Sequence, residues 1–201
     1  MIKNVVFDIG NVVTRWDPQL ICRRTFGDAH ATPEFASGIF RHPIWRSLNK
    51  GELTEEEAKH AFHKEHGHSL DQLTTMFFHV KDTQDLVDGT VEMMERLIAA
   101  EYRLFALTDN VKEIEAYLRN RYDFWRHFDG VINSATVGCL KPSEEIYSHL
   151  LDGFDLTPEH TVFMDDMPHN VDGARAMNMH AIQFKTAAQA EEDLKALGLR
   201  F

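Results

Sequence analysis

The sequence predicts an α/β fold: a doubly wound parallel sheet, Rossmann-like, with a small helical cap inserted after the first strand. Three observations predict it. Short apolar runs rich in β-branched and aromatic residues each stop at a polar turn. Helical periodicities lie between those runs. Residues 15–88 break the rhythm, with helix signals and no convincing strand.

The first run, Val5-Val6-Phe7, stops at Asp8-Ile9-Gly10-Asn11. Leu104-Phe105-Ala106-Leu107 stops at Thr108-Asp109-Asn110, and Val131-Ile132 stops at Asn133-Ser134. Thr161-Val162-Phe163-Met164 stops at Asp165-Asp166, and Ala181-Ile182-Gln183-Phe184 is the fifth candidate. Near-continuous apolar strands are those covered on both faces, as in parallel sheets. Met93, Leu97 and Ile98 have helical spacing before the second strand, and Ile114, Tyr117 and Leu118 follow it. Pro142 is predicted at a first helical position, ahead of Ile146, Tyr147 and Leu150. Val171, Ala174 and Met177 follow the fourth strand. In the insertion, Thr54-Glu55-Glu56-Glu57 and Ser69-Leu70-Asp71-Gln72 read as capping boxes. The expected division is an α/β core of residues 1–14 and 89–201 and a helical cap of residues 15–88.

A chain of 201 residues with 43% hydrophobic and 26% charged residues has the size of one domain with an insertion and can bury a real core. Its net charge of −11 argues against a nucleic-acid partner, which needs a basic face. An anionic substrate must then be recruited by a local positive site. Cys22 and Cys139 form neither a disulfide framework nor a CxxC pair, which suits a reducing, cytoplasmic setting. The opening apolar run is too short for a signal or an anchor, and no window reaches the ~18 apolar residues of a membrane helix. A monomer or a homodimer is expected.

The candidate functional residues lie just after predicted strands: Asp8, Thr108, Asp109, Lys141 beyond the third strand and its loop, and Asp165-Asp166. In open α/β sheets the ligand crevice lies at the carboxyl ends of the strands. The segments Phe7-Asp8-Ile9-Gly10-Asn11-Val12-Val13, Leu107-Thr108, Lys141-Pro142 and Phe163-Met164-Asp165-Asp166, with the tail Asn170-Val171-Asp172-Gly173-Ala174-Arg175, resemble the four ordered motifs of the haloacid dehalogenase superfamily. Asp-x-Gly-Asn-Val with Asp17 downstream, and the segment from Trp45 to Thr54, are similar to its alpha-D-glucose-1-phosphate phosphatase-like branch.

The resemblance implies a phosphatase of small phosphorylated metabolites, sugar phosphates first among them. Asp8 would be the nucleophile, since a carboxylate attacking phosphorus forms an acyl-phosphate and divides hydrolysis into two easier steps. Clustered acids beside a phosphate dianion need a cation, and hard oxygen ligands select Mg²⁺. The ion would contact Asp8, the Gly10 carbonyl and Asp166, with Asp165 either a further ligand or an acceptor behind it. Lys141 and Thr108 would hold the phosphoryl group. Asp109 either reaches substrate or closes a turn. Gly10 departs from the family, most of whose phosphatases have a second Asp there as general acid. Asp17 is a proton source or, more simply, a helix N-cap before Pro18.

Trp16, Phe35, Phe40 and Trp45 either line a pocket or pack the cap. His60, His63 and His66 read as a solvated face rather than a zinc site, because no HExxH is present. Two alternatives stay open. One is haloacid dehalogenation by Asp8 without Mg²⁺, against which the acid pair argues. The other is a non-catalytic phospholigand-binding module, motivated by Gly10.

Overall fold

The computed structural model describes residues 1–201. Strands β1 (Asn4–Phe7), β2 (Arg103–Thr108), β3 (Gly130–Asn133), β4 (Thr161–Asp165) and β5 (His180–Gln183) form one sheet in the order β3-β2-β1-β4-β5. Every pairing is parallel. The winding therefore reverses between β1 and β4, the crevice position of an open α/β sheet. Phe7 stands level with Ala106 on one side and Met164 on the other, so Asp8, Thr108 and Asp165 leave the sheet along one edge.

Alternate strand residues feed two cores. Val5, Phe7, Leu104, Ala106, Val162 and Met164 belong to the larger cluster, whereas Val6, Phe105, Leu107 and Phe163 belong to the smaller. Both faces are covered, which is why the strands read as unbroken apolar runs.

Helices α1 (Pro18–Phe26), α2 (Pro33–Phe40), α3 (Pro43–Asn49), α4 (Glu55–His66) and α5 (Leu70–Asp82) lie between β1 and β2. Helix α6 (Thr90–Ala99) precedes β2, α7 (Lys112–Arg121) follows it, and α8 (Ser134–Val137) follows β3. Helices α9 (Glu144–Gly153), α10 (Pro168–Ala176) and α11 (Ala187–Ala196) complete the chain. Both capping boxes form, at Thr54 with Glu57 and at Ser69 with Gln72. No helix is long and apolar enough to cross a membrane.

The larger core runs without a break from the sheet into α1–α5, through Ile21, Leu48, Phe62, Met76 and Phe77. The two segments that join these helices to the sheet are stitched together, Arg15 N–H to Asp85 C=O at 2.7 Å and Val87 N–H to Val13 C=O at 2.9 Å. On the far side Ser134 Oγ donates to the Asn49 carbonyl at 2.6 Å. Gly51 makes that docking possible. Its φ is +70°, and a Cβ there would lie 2.1 Å from the Ala135 carbonyl oxygen. Gly51→Ala combines a left-handed backbone penalty with a backbone clash, and is expected to cost at least about 2 kcal/mol, read as a lower urea midpoint.

Several local readings shift. Pro142 is not in α9. The Ser143 N–H bonds the Leu140 carbonyl at 2.9 Å, so Pro142 sits in a turn and Ser143 becomes the N-cap. The fifth strand starts at His180, where pairing with Val162 begins, and ends at Gln183. Ile98 is 39% exposed, beyond the edge of the buried face of α6. His60, His63 and His66 are all exposed. The His63 ring pairs with the His68 carbonyl at 2.7 Å, and the His66 ring packs edge-on against His42. Both cysteines are free and buried.

Candidate active site

Asp8, Gly10, Thr108, Asp109, Lys141 and Asp166 line one cleft of about 350 Å³ at the carboxyl edge of the sheet. Asp165 lies directly beneath it, fully buried. The carboxylate oxygens of Asp8, Asp165 and Asp166 lie within 4.8 Å of one another.

Asp8 is fixed from several sides. Its N–H donates to the Met164 carbonyl at 2.9 Å, continuing the sheet past the end of β1. Its Oδ1 accepts from Ile9 N–H at 2.7 Å and meets Lys141 Nζ at 2.8 Å. The carboxylate is thus held by one oxygen, which leaves Oδ2 without a hydrogen-bond partner. Burial pushes the Asp8 carboxyl up to about 8; Lys141 pulls it back, and Asp165 and Asp166 add to the rise.

Lys141 Nζ meets Asp8 Oδ1 at 2.8 Å and donates to Asp165 Oδ2 at 2.7 Å and to the Leu107 carbonyl at 3.2 Å. An ammonium has three N–H donors, and all three are used. Burial alone would lower its pKa, but the charges of Asp8, Asp165 and Asp109 outweigh that and raise it. Lys141 is therefore a fixed positive charge under the cleft floor, not a free arm.

Asp165 and Asp166 have separated roles in the packing. Asp165 accepts from Lys141, from Met167 N–H at 2.8 Å and from Asn170 Nδ2 at 3.1 and 3.0 Å, so both its oxygens are engaged. Asp166 is half-buried, and its Oδ2 accepts from Asn11 Nδ2 at 3.1 Å. Burial also raises the Asp166 carboxyl, and the Asn11 amide pulls it back. Asp109 turns Oδ1 onto the Lys141 N–H at 3.1 Å. Thr108 is buried at the end of β2 and lines the cleft.

Helix α10 comes close enough to complete the site because residue 173 is glycine. A Cβ there would lie 2.8 Å from Pro142 Cβ and 2.9 Å from Tyr147 Oη. Tyr147 Oη donates to the Asn170 carbonyl at 2.7 Å and anchors the same helix.

The insertion supplies the opposite wall. Trp16, Phe40 and Trp45 line the cleft, with ring centroids 5.2 Å apart for Trp16 and Phe40 and 4.8 Å for Phe40 and Trp45. Phe35 packs away from it, against Phe26 and His30. Asp17 caps α1, accepting from Leu20 N–H at 2.9 Å.

Asn11, Asn49, Gln84, Asn110, His169 and Asn170 also line the cleft. Asn11 and Asn170 stand in the motif segments, where their position beside the acids is the signal. Asn49 and Gln84 carry no local signal, since only folding of the insertion brings them to the strand ends. Asn11 ties the two parts together: Nδ2 holds Asp166 while Oδ1 accepts from Trp16 N–H at 2.9 Å.

The family profile described as haloacid dehalogenase-like hydrolase matches residues 2–178. Drimenol cyclase drtB of Aspergillus calidoustus is 24% identical over 200 residues; the match covers 96% of this chain but 36% of that protein. Sesquiterpene phosphatase astK of Aspergillus oryzae is 22% identical over 195 residues, covering 97% of this chain and 96% of that one. A crystallised enzyme of the same family from Bacteroides thetaiotaomicron, in complex with magnesium and inorganic phosphate, superposes with a TM-score of 0.78 at 17% identity, covering 92% and 96% of the two chains. With the profile spanning most of its length over this strand order, the chain belongs to the haloacid dehalogenase-like hydrolase family.

Proposed function

We propose that this chain is a Mg²⁺-dependent phosphatase of small phosphomonoesters, with sugar monophosphates the first class to try. One observation carries the reading: Asp8 is pinned through Oδ1 beside a buried ammonium, with a second acid, Asp166, on the same cleft wall. The sesquiterpene phosphatase among the relatives, matched over nearly its full length, supports it.

The donor set fits the ion. Three carboxylates converge within 4.8 Å against one ammonium, and burial raises two of them, so a cation would relieve the excess negative charge. Asp8, Asp166 and the Gly10 carbonyl would hold it, because the Asp165 oxygens are taken up by Lys141, Met167 and Asn170. Bound Mg²⁺ supplies charge neutralisation and orients the phosphoryl oxygens.

This chain's own residues do the rest. Asp8 Oδ2 attacks phosphorus in line and forms an aspartyl-phosphate. Lys141 orients Asp8, pulls it toward its ionised form against the effect of burial, and lends positive charge to the developing phosphoryl oxygens. Thr108 offers a hydroxyl from the end of β2, and residues 15–88 act as the cap. Trp16, Phe40 and Trp45 give the leaving group a flat apolar wall that suits a sugar ring face or an apolar chain.

Phosphate release from a panel of sugar phosphates, nucleotides and simple phosphomonoesters tests the reading. Turnover is expected with Mg²⁺, falling at least about 100-fold in chelator and returning on Mg²⁺ addition. Turnover unchanged in chelator would remove the metal from the scheme. No release from any ester would favour the binding-module reading. Halide release from a haloacid in chelator would favour the dehalogenase.

A further inference from the structure

We propose that His169 is the general acid and base of this site, in place of the side chain that Gly10 lacks. The inference rests on the phosphatase reading above. Breaking an alkyl ester P–O bond leaves an alkoxide unless the oxygen receives a proton, so a proton donor matters most where the leaving group is poor.

Five ionisable side chains line the cleft: Asp8, Asp109, Lys141, Asp166 and His169. Four are committed. Asp8 is the nucleophile, and Lys141 spends its donors on Asp8, Asp165 and Leu107. Asp109 faces the Lys141 N–H, and Asp166 is held by Asn11 beside the proposed ion. Asp17, the other proton source considered from the sequence, is occupied capping the start of α1.

His169 remains, and its placement suits the task. It is exposed in the first turn of α10, on the same cleft as Asp8 and Gly10. Its neighbour Asn170 is locked by Asp165 and Tyr147, which fixes the backbone from which the imidazole projects. The space beside the nucleophile is open: a Cβ on Gly10 would meet only Trp16 Cβ, at 3.9 Å. An imidazole can both give and take a proton through its ring nitrogens.

In the first step the Asp8 Oδ2–P bond forms and the ester P–O bond breaks. The proton passes from the His169 imidazolium to the ester oxygen, and the alcohol leaves. In the second step the neutral imidazole takes a proton from the water that attacks phosphorus. The acyl-phosphate P–O bond breaks, inorganic phosphate leaves, and the Asp8 carboxylate and the imidazolium are restored.

The test is His169→Gln measured with Mg²⁺ on p-nitrophenyl phosphate and on glucose 6-phosphate. Circular dichroism normalises each rate to folded protein. The expected loss in kcat is about 100-fold or more on the sugar ester and about fivefold or less on the aryl ester. Gly10→Asp in the same background is expected to recover at least about tenfold on the sugar ester, by restoring an acid beside the nucleophile. Equal losses on the two esters, or no loss on the sugar ester, would overturn the assignment of His169. If wild-type protein releases phosphate from no ester of the panel, the phosphatase reading itself fails, and this inference fails with it; if it prefers another alkyl ester, that ester replaces glucose 6-phosphate in the comparison.

Discussion

Asp8→Asn is expected to lower kcat by at least about 10⁴-fold in a chain that still folds. The amide keeps the shape of the carboxylate, and its oxygen can still accept from Ile9 N–H and Lys141 Nζ, as Oδ1 does now. What it loses is the proposed nucleophile, and no other group in the cleft is placed to replace it. The same change removes one of the acids proposed to hold the ion, which adds to the loss. Phosphate release with excess Mg²⁺, alongside a thermal melt, separates chemistry from folding. A folded Asn variant that retained Mg²⁺-dependent turnover would rule out the covalent route through Asp8.

Lys141→Ala is expected to destabilise the fold by about 3–5 kcal/mol as well as remove activity. The Lys141 side chain is 1% exposed and sits between Asp8 and Asp165, the latter wholly buried. Taking it away leaves two carboxylates facing one another in the interior without a counter-charge, and leaves the Leu107 carbonyl without its side-chain partner. Removing one partner of a buried ionic set costs more than the set contributes, because the charges left behind stay desolvated. A urea titration reads the change as a lower midpoint at constant slope. A loss below about 1 kcal/mol would mean that water reaches the site and screens the acids. Gly51→Ala disturbs only the docking of the insertion on α8, so its cost comes from backbone strain rather than from charge.

Much of the fold is legible in local sequence. Strand starts and stops, the helix-rich insertion and both capping boxes depend on residues within a few positions of one another. Pro142 shows the limit of such signals. Its preference for a first helical position is real, but the turn closed by Ser143 and Leu140 places it outside the helix. The absence of HExxH marks the α4 histidines as a solvated face; they are exposed, and folding also brings His66 and Glu65 together with His42, their ligand atoms within 4.8 Å of one another. Phe35, Phe40, Trp16 and Trp45 looked alike in sequence. Only packing sorts Phe35 to the outer cluster with Phe26 and the other three to the cleft.

The βα alternation, the family motifs and the acids at the strand ends are readable locally, because apolar period and turn chemistry are written into neighbouring residues. How those acids differ depends on contacts between distant segments. Asp165 is buried and saturated with donors, whereas Asp166 keeps one face toward the cleft. Tertiary structure decided that Lys141 spends every donor inside the protein and that Asn11 couples Asp166 to the insertion. It also brought His169 to the same cleft as Gly10. These are distances between segments far apart in the chain. They follow from the register of parallel strands and from the close approach that Gly173 and Gly51 permit, which no local pattern encodes.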